Sequence, residues 1–147
     1  MKVFFDVKSN IQKKVNKLLG ETLAAQVRAV QKGTLLIHEI AVKSIQENND
    51  GRSEIRYNPK RTVNVSDEGD TPNTDTGRLV QSIKFDFKNE GLTGRVGTNL
   101  KYGAWLEFGT KTMQARPWLT PAVQLAGESI GEIFAGEIQN ALKKVGE

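Results

Sequence analysis

From about Thr22 to Glu47 the positions Leu23, Val27, Val30, Thr34, Ile37, Ala41 and Ile45 step by three or four, laying one apolar stripe along a long amphipathic helix. Such a stripe needs a sheet or another helix to cover it. The C-terminal third offers the helix. Thr120-Pro121 reads as a cap followed by proline at the first helical position, and Val123, Ala126, Ile130, Ile133, Phe134, Ile138, Ala141 and Leu142 then run down one side. Gly127, Gly131 and Gly136 interrupt this helix at about 1 kcal/mol each against alanine. Gly127 and Gly131 border its apolar stripe, so they either admit a close neighbour or are tolerated where packing is loose.

The middle of the chain offers the sheet. Ile83, Phe85 and Phe87 alternate with Lys84, Asp86 and Lys88, the period of a half-buried strand. Asn89-Glu90-Gly91 turns the chain, and Thr93 to Gly97 returns it as an antiparallel hairpin. Two further short strands are predicted at Glu54 to Tyr57 and Thr62 to Val65, separated by Asn58-Pro59. Before the long helix, Val3, Phe4, Phe5 and Val7 read as a short strand, with Ser9 as the N-cap of a first helix carrying Ile11, Val15, Leu18 and Leu19 that stops or bends at Gly20. Asn48-Asn49-Asp50-Gly51 ends the long helix, and SDEGDTPNTDTG is a loop, so residues 48–75 are expected to be a largely exposed polar region. Leu100 to Phe108 is expected to form a short helix capped by Asn99 and stopped by Gly109.

At 147 residues the chain is expected to form a single domain, 1–147, large enough to bury a core without staples. Without cysteine it has neither disulfides nor thiolate chemistry. No apolar run approaches the roughly 20 residues that cross a bilayer, and MKVFFDVKSN turns polar too soon for a signal peptide, so the expectation is a soluble protein made in the cytoplasm with no membrane partner. The net charge of +4 permits contact with nucleic acid. The excess lies in residues 1–47, with eight Lys or Arg against four acids, including Lys13, Lys14 and Lys17; a solvated helix face explains these as well as a phosphate site does.

Catalytic constellations fare poorly on residue type alone. His38 has no second histidine or paired acid at ligand spacing, so it is assigned no metal. Asp75-Thr76-Gly77 resembles the catalytic loop of aspartic proteases, but those enzymes need two carboxylates, each after an apolar strand, and here a single one follows a polar stretch. The better reading is a helical turn capped by Asp75 or Thr76 with Leu79 and Ile83 facing inward. No phosphate-binding glycine loop joins strand to helix. Neither cofactor nor small-molecule substrate is expected.

The aromatics concentrate in Tyr102 to Pro121, YGAWLEFGTKTMQARPWLTP, which marks a core junction or a docking surface. Tyr102, Trp105, Glu107, Phe108, Arg116 and Trp118 are the candidate residues. Glu107 and Arg116 either pair as carboxylate and guanidinium, or Glu107 caps local backbone amides and Arg116 faces solvent.

The ordered set Asp75-Thr76-Gly77-x-Leu79-x-x-Ser82-Ile83, Val96-Gly97-Thr98-Asn99, Tyr102-Gly103, Glu107-Phe108-Gly109-Thr110 and Ala115-Arg116-Pro117-Trp118-Leu119-x-Pro121-Ala122 resembles the small tail-completion, or head-tail joining, proteins of long-tailed bacteriophages. These are also known as minor tail or virion morphogenesis proteins. Trp118 stands where a phenylalanine is usual, and residues 48–75 match no family pattern. The resemblance implies an α+β fold, with a long N-terminal helix and a C-terminal helix packed on a small antiparallel sheet. It further implies no catalytic activity, a place in the virion at the neck or tail end, assembly with itself as an oligomeric ring, and contact with other neck or tail proteins. Non-specific contact with packaged DNA goes with a neck location. The alternative is a small basic nucleic-acid-binding module, which would need its lysines and aromatics on one surface.

Overall fold

The computed structural model describes residues 7–47 and 51–146. Two long helices form its frame: α1 (Val7–Gln46) and α4 (Thr120–Gly146). They run antiparallel, since Ala122 meets Ala41 and Ile45 near the end of α1 while Lys144 pairs with Glu21 near its beginning. Small residues set the distance between them. Ala25, Ala29 and Ala41 on α1 and Ala126 and Ala141 on α4 are fully buried, and a Cβ on Gly33 would sit 3.3 Å from Ile130. Gly127, Gly131 and Gly136 face open space, so the close approach falls on α1 rather than on the glycines of α4. One buried acid ties the pair: Glu137 accepts from Arg28 Nε at 2.8 Å and from Lys32 Nζ at 2.5 Å. These bonds, from Lys32 and then Arg28, hold its carboxyl below the usual carboxylate range.

Between the helices lie β1 (Arg52–Tyr57), β2 (Lys60–Val65), α2 (Arg78–Ser82), β3 (Lys84–Lys88), β4 (Thr93–Gly97) and α3 (Lys101–Phe108). The fold is therefore α+β, and its strands form two separate antiparallel hairpins, β1 with β2 and β3 with β4. The second hairpin lies against α1. Gly94 makes this possible, because a Cβ there would be 1.8 Å from Thr34 Oγ1, closer than any real contact. Asp86 and Arg95 face each other across the strands and pair through both oxygens.

The main core gathers Ala41, Ile45, Leu79, Ile83, Trp118 and Ala122, with Tyr102, Leu106 and Leu119 packed around it. All of it sits at the C-terminal end of α1. Leu79 and Ile83 face inward as the sequence predicts.

Several local expectations change. Val3, Phe4 and Phe5 of the expected first strand and the turn at Asn48-Asn49-Asp50 lie outside the described residues, and Val7 of that strand belongs to α1 instead. Ser9 is not a cap, because α1 already includes Val7. Gly20 does not stop α1: one glycine costs about 1 kcal/mol, and the helix formers on both sides carry the helix through it. Leu23 is largely exposed, and so are Val123 and Leu142 at the ends of the α4 stripe. Phe85 and Phe87 are more open than a half-buried strand implies. Phe85 rests on one side against the edge of His38, with ring centroids 5.2 Å apart, and His38 Nε2 donates to the Ile83 carbonyl at 3.3 Å. Within residues 51–75 the first hairpin forms where short strands are expected, and Ser66 and Pro72 are buried.

Candidate functional site

The segment from α3 to the start of α4 is built on Glu107. Its Oε2 accepts from the backbone N–H groups of Trp118 at 2.8 Å and Leu119 at 2.9 Å. Its Oε1 accepts from the Thr120 N–H at 2.8 Å and the Thr120 hydroxyl at 2.5 Å. A helix begins with N–H groups that lack intrahelical partners, and a carboxylate placed there satisfies them and meets the positive end of the helix dipole. Glu107 thus caps α4 from another helix. Thr120, read from sequence as the cap, instead donates its hydroxyl to Glu107. Burial pushes the Glu107 carboxyl upward, but the hydrogen bonds from Leu119, Trp118 and Thr120 outweigh it and hold the group below its ordinary value.

The Glu107–Arg116 pair is not formed. The donors of α4 fill both carboxylate oxygens, and Arg116 turns to the preceding loop, with Nε 3.4 Å from the Asp67 carbonyl. Its backbone N–H bonds to Leu106 O at 2.6 Å, and Gly69 N–H bonds to Ala115 O at 3.0 Å, so loop 66–77 and segment 109–119 are stitched to α3. Arg116 is partly buried rather than fully in solvent.

Gly109 and Gly103 have steric reasons. Gly109 has φ +74°, a left-handed value that favours glycine, and a Cβ there would be 2.9 Å from Met113 O. A Cβ on Gly103 would be 2.5 Å from Thr98. Its carbonyl accepts the Trp118 Nε1–H at 3.0 Å, which seats the indole in the core. Tyr102 packs beside it, partly covered.

The six candidate residues therefore separate by burial. Glu107 and Trp118 are inside and Tyr102 and Arg116 lie at the boundary, while Trp105 is 53% and Phe108 81% exposed. Phe108 borders a cleft of about 240 Å³ lined also by Thr98, Ala104, Leu119 and Thr120.

Asp75 and Thr76 do not cap α2. Gly77 occupies that position at φ +72°, with no side-chain cap bond, and Asp75 pairs through both oxygens with Arg61 of β2. The Arg61 guanidinium lowers the Asp75 carboxyl. Asn99 does not cap α3 either. Leu100 holds the cap position with no side-chain cap bond, and a hydroxyl relay lies just before it: Ser82 Oγ donates to Leu79 O at 2.7 Å and lies 2.6 Å from Thr98 Oγ1, which accepts the Leu100 N–H at 3.1 Å. Two residues of the sequence motifs thereby join α2 to α3.

Among the described residues no three His, Asp or Glu side chains converge to hold a metal ion, and no helix is long and apolar enough to cross a membrane. Sequence reading missed Glu137. The signal was present in Arg28 and Lys32, four apart on α1, but pairing them with one acid of α4 requires the helix register.

Comparison with known proteins gives one family. The family model described as "Bacteriophage HK97-gp10, putative tail-component" matches residues 5–109. The match takes in the motifs from Asp75-Thr76-Gly77 through Glu107-Phe108-Gly109 and stops before Arg116-Pro117-Trp118. No curated protein and no solved structure matches the chain.

Proposed function

Because the chain belongs to the HK97-gp10-like family of bacteriophage tail components, we propose that it is a structural subunit of the neck or tail end, acting in head-tail joining or tail completion as part of an oligomeric ring. The observation that carries this reading is the amount of large apolar surface left open. Ile11, Val15, Leu19, Trp105, Phe108 and Leu125 are all more than two-fifths exposed. Scattered exposed apolar groups are ordinary, but apolar faces along a helix mark contact surfaces.

The acids with lowered carboxyl groups support a non-catalytic role, since each is engaged in structure. Glu107 caps α4, Glu137 holds α1 to α4, Asp75 ties the loop before α2 to Arg61 of β2, and Asp86 pairs with Arg95 across the second hairpin. On this reading Glu107, Trp118 and Tyr102 form the core junction, Trp105 and Phe108 the inter-subunit contact, and Arg116 the tie to the loop at its edge. Its partners are other copies of itself and neighbouring tail proteins, with packaged DNA met non-specifically, and its place is the virion.

Particles assembled without this protein test the reading. Tails and filled heads that fail to join, or tails with faulty ends, restored by supplying the chain in trans, are the expected result. Normal infectious particles in its absence would overturn it.

A further inference from the structure

We propose that α4 beyond Ala126 is a strap that lifts from α1 as a unit, while the first turn of α4 stays docked in the core. The docked turn is held twice. Glu107 binds the N–H groups of Trp118, Leu119 and Thr120, and Ala122 packs in the core with Ala41, Ile45 and Trp118. The largest fully buried side chain among the described residues, Ile45, belongs to this end of the helix pair.

From Ala126 onward the seam changes in character. Its fully buried apolar positions are Ala25 and Ala29 on α1 and Ala126 and Ala141 on α4, and alanines remove little apolar area from water. The larger residues along it, Val27 and Val30 on α1 and Ile130, Ile133, Phe134 and Ile138 on α4, are only half-buried. The rest of the hold is polar. Glu137 takes Arg28 and Lys32, whose side chains are 37% and 60% exposed, and Lys144 Nζ lies 3.6 Å from Glu21 Oε2 at the surface. The cations already touch water and Glu137 regains it when the contact opens, so trading these bonds for water costs far less than their strength in isolation.

The helix is also weakest where the strap begins. Gly127, Gly131 and Gly136 meet open space, so no close approach requires them, and each lowers helix stability against alanine. Gly127 follows Ala126 directly, which puts a soft point between the docked turn and the remainder of α4. Once lifted, a segment with these three glycines does not keep its hydrogen bonds without the seam, so lifting and loss of helix go together. The docked turn, not the strap, is what α3 holds, through Glu107 and through the Gly103 carbonyl that accepts from Trp118. Trp105 and Phe108 therefore keep their places when the strap opens, and strap opening and subunit contact are separate events.

The chain has no cysteine, so a single engineered thiol reports the opening of the place where it is put. Native-state labelling with a thiol reagent compares the full chain carrying Ala29→Cys with the full chain carrying Ala41→Cys; both positions are fully buried. Ala29 lies between Arg28 and Lys32, which hold Glu137, so fraying of the last turn of α4 does not expose it. The expected result is labelling of Ala29→Cys about tenfold or more faster than of Ala41→Cys, with little dependence on added denaturant. Ile83→Val weakens the core alone and should speed labelling of Ala41→Cys severalfold while leaving Ala29→Cys unchanged. Hydrogen exchange of the unmutated chain removes any effect of the added thiol: amides from Glu128 to Asn140 should share one opening, about tenfold or more populated than the opening around Ile45. Equal labelling at the two sites, acceleration of both by Ile83→Val, or α4 amides exchanging together with those around Ile45 would overturn the strap, because α4 and the core would then open as one unit.

Discussion

Replacing Glu107 by glutamine keeps one acceptor oxygen but turns an amide toward N–H donors, so α4 loses half its cap. The expected cost is about 1–3 kcal/mol, read from chemical denaturation. The pH dependence has a fixed sign. Glu107 is held below its ordinary value in the folded chain, so its stabilisation is present above the unfolded value of roughly 4.3 and is lost as pH falls through the lower, folded value. Wild type should lose stability below about pH 4.5 more steeply than Glu107→Gln; equal slopes would show that the carboxylate charge does not support the cap. The aromatics divide in the same way. Trp118→Ala should cost about 3–5 kcal/mol, whereas Trp105→Ala and Phe108→Ala should stay within about 0.5 kcal/mol of wild type in the monomer and lose ring formation. That Glu107 could cap amides was legible in the sequence, although as local amides rather than those 11 to 13 residues on at the start of α4. That it excludes Arg116 was not, since the choice depends on four donors meeting at one carboxylate.

Packing between elements depends on where a glycine is needed and where it is merely tolerated. Gly94→Ala places a methyl group against Thr34 and should destabilise the protein by about 1–3 kcal/mol, through lifting the second hairpin from α1. Gly127→Ala on α4 meets nothing within 4 Å and should stabilise by up to about 1 kcal/mol. Thermal melts of the two variants check both, and a neutral Gly94→Ala would contradict the close approach. The long helices and the β3–β4 hairpin were legible from their periods of 3.6 and 2, because burying one face repeats a signal over many residues. Caps and breaks were not. Ser9, Gly20, Asp75 and Asn99 each carry the right chemistry for a helix end, yet α1 runs through the first two, Arg61 takes Asp75, and α3 starts with no side-chain cap bond at all. The α1–α4 seam was half legible, for the apolar stripes announce a helix pair but not that alanines and Gly33 form its closest part.

Across the whole molecule, the lysines near the start of α1 and the aromatics of α3 lie at opposite ends. A nucleic-acid-binding surface with stacking aromatics among its basic residues would need them together. The same separation predicts that short duplex DNA binds weakly, with affinity that falls with salt as for a few phosphates only; a tight complex showing a steep salt slope, measured by anisotropy, would favour the nucleic-acid reading. The most direct test of the account is cryo-electron microscopy of purified tails. It predicts a closed ring of copies of this chain at one end of the tail, with Trp105 and Phe108 of each copy in the contact with its neighbour. Tails that lack the chain, or carry it spread along their length, would contradict it.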